Sequence, residues 1–124
     1  MSRKNNLKPF KVLTAGDMSG SPISKVTNLI HLDNVAVQAN WTGASPVGVI
    51  QVQVSNDYNQ DELGNVLNAG NWVPVVLSPI PSIAANSGSI FIDLNQLASQ
   101  WVRVQYVRTS GTGSMDLWLS AKMI

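Results

Sequence analysis

The chain contains no cysteine, a single histidine and a single glutamate in 124 residues. Without cysteine there is no disulfide framework, no thiolate metal site and no sulfur nucleophile. General acid–base chemistry near neutral pH rests on His31, within Leu29-Ile30-His31-Leu32-Asp33, and no Gly-x-Ser-x-Gly elbow supplies a serine for it. A phosphate loop and a dinucleotide fingerprint are missing too. The expectation is a protein that is not an enzyme, with no cofactor and no metal. No run approaches the roughly 20 apolar residues of a membrane span. The basic, polar opening Met1-Ser2-Arg3-Lys4-Asn5-Asn6 leads into no apolar core of signal-peptide length, so a soluble protein made without a secretory signal is expected.

Charge is scarce as well. Asp, Glu, Lys and Arg make up 12% of the chain, about half the usual quarter. Polarity comes instead from amides and hydroxyls, with 12 Asn and 14 Ser among them. Such groups are buried against a partner at lower cost than ions. The composition suits a subunit packed among neighbours, as a homo-oligomer (a trimer being one expected form) or against other proteins. Four of the eight basic residues, Arg3, Lys4, Lys8 and Lys11, lie in the first eleven positions. They define a basic arm over residues 1–9 and its junction, a candidate interface element that reaches a neighbouring subunit. Four charges are too few to support nucleic-acid reading, and Arg103 and Arg108, five apart on one strand, fall on opposite faces.

Period-two alternation is the main structural signal. Val35, Val37, Ala39 and Trp41 share one face, with Gln38 and Asn40 on the other. Ile50, Val52 and Val54 repeat the pattern, as do Val102, Val104 and Tyr106, then Met115, Leu117, Leu119 and Ala121. Turn-forming residues at 42–46 and 109–113 predict that each pair of segments closes as a hairpin. Shorter strands are expected at 10–14, 26–32, 72–77 and 89–92. About eight strands at this spacing give an all-β fold, an antiparallel β-sandwich of jelly-roll-like kind, as one domain over residues 10–124. Asp93 and Gln96 have the spacing of a capping box, which predicts one short helical turn near 93–99. Pro74, Pro79 and Pro81 place 72–83 at a sheet edge or in a loop.

Two further features bear on binding. Asp57, Asn59 and Asp61 match the first oxygen ligands of a calcium loop, but Glu62 stands where glycine is needed and Asn68 where glutamate closes the site. The segment reads as a solvated acidic loop. Of four tryptophans, Trp41 belongs to an inward row, Trp101 and Trp118 lie opposite their strands' apolar rows, and Trp72 opens the proline-bearing segment. Trp72 is the candidate contact for a glycan or a protein partner.

Trp41-Thr42-Gly43-Ala44-Ser45-Pro46-Val47-Gly48 running into Ile50-Gln51-Val52-Gln53-Val54-Ser55-Asn56-Asp57 resembles a pattern in small β-sandwich virion proteins of tailed bacteriophages and related viruses. Trp101-Val102-Arg103-Val104-Gln105-Tyr106, then Ser110-Gly111-Thr112-Gly113-Ser114 and Lys122, resembles the end of the same proteins. The resemblance covers about residues 34–124. It implies a virion protein made in the host cytoplasm: a capsid decoration or cement protein, or a head, neck or tail accessory subunit, whose partners are the major capsid protein or neighbouring subunits. The Ser-Asn-Asp loop and later tryptophan also look like discoidin-type sugar-binding sandwiches, which implies the alternative of a carbohydrate-binding module for host or glycan attachment.

Overall fold

The computed structural model describes residues 6–30 and 32–123. Nine strands occur among them: β1 (Asn6–Asp17), β2 (Thr27–Asn28), β3 (Asn34–Ser55), β4 (Asn59–Gln60), β5 (Val66–Asn68), β6 (Val73–Pro74), β7 (Ser82–Ile83), β8 (Ser87–Leu94) and β9 (Trp101–Lys122). All the pairings are antiparallel, and the described residues contain no helix. The all-β expectation holds.

The hairpins expected at 42–46 and 109–113 are absent. β3 and β9 each run 22 residues straight through those glycine-rich segments and pair with one another, from Asn34 opposite Lys122 to Ser55 opposite Trp101. The turn-forming residues make opposed bulges instead. Ala44 faces Thr112, Val47 faces Ser110 and Gly48 faces Arg108, so each strand accommodates one extra residue at the corner. Ser45 at φ 50° and Gly111 at φ 80° supply the local kinks. An extra residue shifts the parity of a strand without turning over its face. Inward positions on β3 therefore change from odd (Val35, Val37, Ala39, Trp41) to even (Ile50, Val52), and on β9 from even (Val102, Val104, Tyr106) to odd (Met115, Leu117, Leu119, Ala121), all within one core.

The two halves of this long ladder carry different flanking strands. On one side of the corner the order is β1, β9, β3, β8; on the other, β2 pairs with β9 while β6 and β7 pair with β3. Strands that bend at bulges and serve both halves of a curved sheet are a known route to sandwich-like closure. Val37, Val52, Val104 and Leu117 lie fully buried where the halves meet, and each such side chain contributes about 1.5–3 kcal/mol by leaving water. Trp41 is buried as expected and donates its indole N–H to the Ala85 carbonyl at 2.9 Å.

The helical turn expected at 93–99 is also absent. Ile90, Phe91 and Ile92 favour extended backbone, and β8 continues past the would-be cap, with Asp93 opposite Ala36 and Leu94 opposite Val35. Gln96 then takes a positive φ of 56°, which no right-handed turn admits. Its N–H donates to the Asn34 side chain, while the Leu97 N–H donates to the Asp33 carbonyl. The expected strands at 26–32 and 72–77 are reduced to β2 and β6, and those at 10–14 and 89–92 lie inside β1 and β8.

Candidate interaction surface

Between the end of β3 and the start of β7 the chain makes a long excursion that adds little to the main sheet. It is nevertheless firmly held. The carboxylate of Asp57 accepts hydrogen bonds from the Asn71 N–H at 2.8 Å, the Ser55 hydroxyl at 2.7 Å and the Asn71 side-chain amide at 2.8 Å. These donors, the Asn71 backbone N–H first, hold the Asp57 carboxyl down at about 2, below the usual carboxylate range. One residue on, the Tyr58 ring is buried between Trp101, with ring centroids 5.0 Å apart, and Trp72, at 5.4 Å. The Arg103 guanidinium lies 4.4 Å from the Trp72 ring centre, a cation–π contact, and its Nε–H donates to Gln53 at 2.7 Å. Gln53 points to the outer side of its strand but is buried, and it donates in turn to Gln51 and Gln105. Base and wall of the excursion are thus closed.

Its tip is different. β4 and β5 form a separate two-stranded sheet, and the turn between them is clamped by Asp61, which accepts from the N–H groups of Leu63 and Asn65 and from the Asn65 side chain. Those bonds, the Asn65 side-chain amide first, lower the Asp61 pKa. With its local geometry satisfied, the segment presents apolar side chains to the outside. Leu63 is 88% exposed and Val76 93%, and Val66, Leu67, Val73 and Ile80 are each more than half exposed. Six large aliphatic residues within 18 positions that include no charged side chain form a run that solvation alone does not explain.

A second exposed region lies on the outer face of the β1-β9-β3-β8 half. Lys11 sits opposite Trp118, Trp118 opposite Gln38, and Gln38 opposite Phe91, so one row crosses all four strands. Phe91 is 66% exposed. A groove of about 400 Å³ runs beside this row, lined by Lys8, Pro9, Ala36, Phe91, Asp93 and Lys122 among others.

The residues singled out from sequence fall in several places. Lys8 and Lys11 lie on β1, which takes in residues 6–9 of the expected arm. Lys8 lines the groove, whereas Lys11 pairs with Asp116 at 3.5 Å and lies 5.4 Å from the Trp118 ring centre. Arg3, Lys4 and His31 lie outside the described residues. Trp72 is half-buried, engaged by Tyr58 and Arg103, and its indole N–H donates to the Ala69 carbonyl at 3.2 Å. Asp57 and Asp61 do not converge, since each is turned to its own backbone donors, and no cluster of three metal-ligating side chains occurs among the described residues. Sequence reasoning passed over Leu63, Val66, Leu67, Val76 and Ile80. The available signal was aliphatic residues that follow no period of two in a proline-bearing segment.

No family model and no curated protein matches the sequence. Among solved structures, the chain aligns with the SPBc2 prophage-derived protein YomS at a TM-score of 0.50, over 97% of this chain and 96% of that one. The two are 11% identical, so the likeness bears on the fold alone.

Proposed function

We propose that this chain is a non-enzymatic structural subunit of a phage particle, a capsid decoration or cement protein or a head–tail accessory subunit. It attaches to neighbouring virion proteins through the aliphatic segment 63–80. The observation that carries this reading is the pairing of a rigidly anchored base, built on Asp57 and Tyr58, with exposed aliphatic side chains along the same excursion, Leu63 at its tip and Val76 after β6 among them. Anchoring lowers the entropy lost when the tip docks. Support for the phage setting comes from the end-to-end likeness to a prophage-derived protein and from the resemblance of the stretches at 41–57 and 101–122 to small virion sandwiches. The carbohydrate alternative has less behind it, because the Trp72 ring already carries the Arg103 guanidinium.

The test is mass spectrometry of purified particles released by the strain that encodes the chain. The chain should be present in fixed stoichiometry with the capsid protein, and its absence overturns the proposal. Leu63→Ser with Val76→Ser should leave the domain folded but weaken attachment. Losing two buried aliphatic contacts, at about 1.5–3 kcal/mol each, lowers affinity by roughly a hundredfold or more.

A further inference from the structure

The sheet has edges of two kinds. Along β1 the edge is guarded: register shifts interrupt it between Leu7 and Phe10, between Lys11 and Leu13 and between Leu13 and Gly16, and Lys8, Pro9 and Lys11 stand on it. The edges of the other half are two-residue strands, with Pro74 inside β6 and Pro79 and Pro81 just ahead of β7. Short strands, bulges, lysine and proline are the devices by which sheets avoid pairing with other chains. β8 has none of them. Its sequence, Ser-Gly-Ser-Ile-Phe-Ile-Asp-Leu, is paired to β3 without a register shift from Ser87 to Leu94, contains no proline and no lysine, and carries one charge.

The direction of the free backbone groups follows from the ladder. The Gly43 N–H donates to the Asn86 carbonyl, so Gly43 and Asn86 are a hydrogen-bonded pair. Such pairs recur every second residue in an antiparallel ladder. Gly88, Ile90, Ile92 and Leu94 therefore turn their N–H and C=O groups toward β3. Those of Ser87, Ser89, Phe91 and Asp93 point away from it, and no other strand covers them among the described residues.

We infer that β8 is the self-association edge of this protein, where a second copy adds its own β8 antiparallel across a two-fold axis. The strand is self-complementary in that arrangement. With Ile90 on the axis, Ser89 faces Phe91 of the other copy and Ser87 faces Asp93, so each carboxylate meets a hydroxyl and like charges stay apart. All four outward residues then pair, giving on the order of eight backbone hydrogen bonds. The β1-β9-β3-β8 half becomes one continuous sheet through the dimer, with the Phe91 side chains close to the axis. An interface built on one strand pair is small, which places the association among weak, concentration-dependent ones. The inference is independent of what the 63–80 segment binds.

Phe91→Pro provides a selective test, because the Phe91 N–H points outward and its loss leaves the β3 ladder whole. Sedimentation of the wild-type chain should show a monomer at about 1 µM and a dimer near 200 µM. Phe91→Pro should weaken association at least tenfold with an unchanged circular dichroism spectrum. Should that variant misfold, Phe91→Lys keeps the N–H and sets two ammonium groups near the axis, and it too should be monomeric. Amide hydrogen exchange at Ser89 and Phe91 should slow at least tenfold on going from the low to the high concentration. A wild-type monomer throughout this range, an oligomer that survives the folded variant, or concentration-independent exchange at these two amides overturns the inference.

Discussion

The corner where β3 and β9 bend makes a quantitative demand on Gly111. Its φ of +80° is one that side chains with a Cβ resist, and a Cβ built there would meet the Ser45 carbonyl and lie 2.7 Å from the Pro46 Cα. Both neighbours are backbone of the opposing bulge and cannot rotate away. Gly111→Ala thus carries about 1–2 kcal/mol for the left-handed conformation and roughly 1–3 kcal/mol more for overpacking, about 2–5 kcal/mol in all. Gly64 provides the internal control: its φ is +87°, yet nothing lies within 4 Å of the Cβ position. Gly64→Ala should cost only the conformational part, about 1 kcal/mol after the smaller entropy of the unfolded chain is credited. Urea unfolding followed by tryptophan fluorescence should separate the two variants by 1 kcal/mol or more, with equal m-values. For a chain of this size that gap is roughly 3–5 °C in Tm. Equal losses in the two variants would refute the opposed-bulge corner, and a hairpin turn at 109–113 would then be the better description.

Two further outcomes follow from single side chains. The Tyr106 hydroxyl is buried with no hydrogen-bond partner among the described residues, and its burial raises the phenol pKa; Tyr106→Phe should therefore be neutral or stabilising by up to about 1 kcal/mol in urea unfolding, and a loss beyond that would mean the hydroxyl is satisfied. Asp57, held at about 2 when folded, stays ionised while the unfolded chain takes up its proton near the ordinary value, so its contribution is present above about pH 4 and is lost as pH falls toward 2. The stability gap between wild type and Asp57→Asn should accordingly narrow over that window, and a gap independent of pH would sink the assignment.

The inward rows were readable because burial on one face of a strand leaves a period of two. Val35 to Trp41, Val102 to Tyr106 and Met115 to Ala121 all fall where alternation puts them. Which row pairs with which was hidden, since Gly43 to Pro46 and Ser110 to Gly113 carry chemistry that serves a hairpin turn and a bulge equally well. The parity change between Trp41 and Ile50 does not separate the two, because a turn of even length produces the same change. The false helix had a similar origin: Asp93 and Gln96 have capping spacing, but Ile90 and Ile92 already commit the chain to β8 alongside Val37 and Ala39. At the interaction surface the polar half was partly legible, as the acidic loop at 57–61 and the special position of Trp72. The apolar half was not, because exposure of Leu63 and Val76 depends on where the excursion lies relative to a core that local sequence does not describe.

The scarcity of charge gains meaning once the acids are located. Asp17 accepts from the backbone and hydroxyl of Ser19, Asp57 from Asn71 and Ser55, Asp61 from Leu63 and Asn65, and Asp116 from the Ala15 N–H and Lys11. Each of the four has its pKa lowered by those bonds, the mark of a carboxylate held by donors. More than half of the seven acids are therefore clamps on turns and bulges rather than free surface charges. What remains facing outward is largely amide, hydroxyl and aliphatic surface with scattered single charges such as Lys8, Lys25, Glu62, Arg108 and Lys122, together with an unguarded β8 edge that bears one carboxylate. Long-range steering and salt-dependent attraction grow with charge density, and at 12% charged residues this chain has little of it. The association proposed for the 63–80 segment and for β8 then rests mainly on close fit and backbone pairing, which act only at short range.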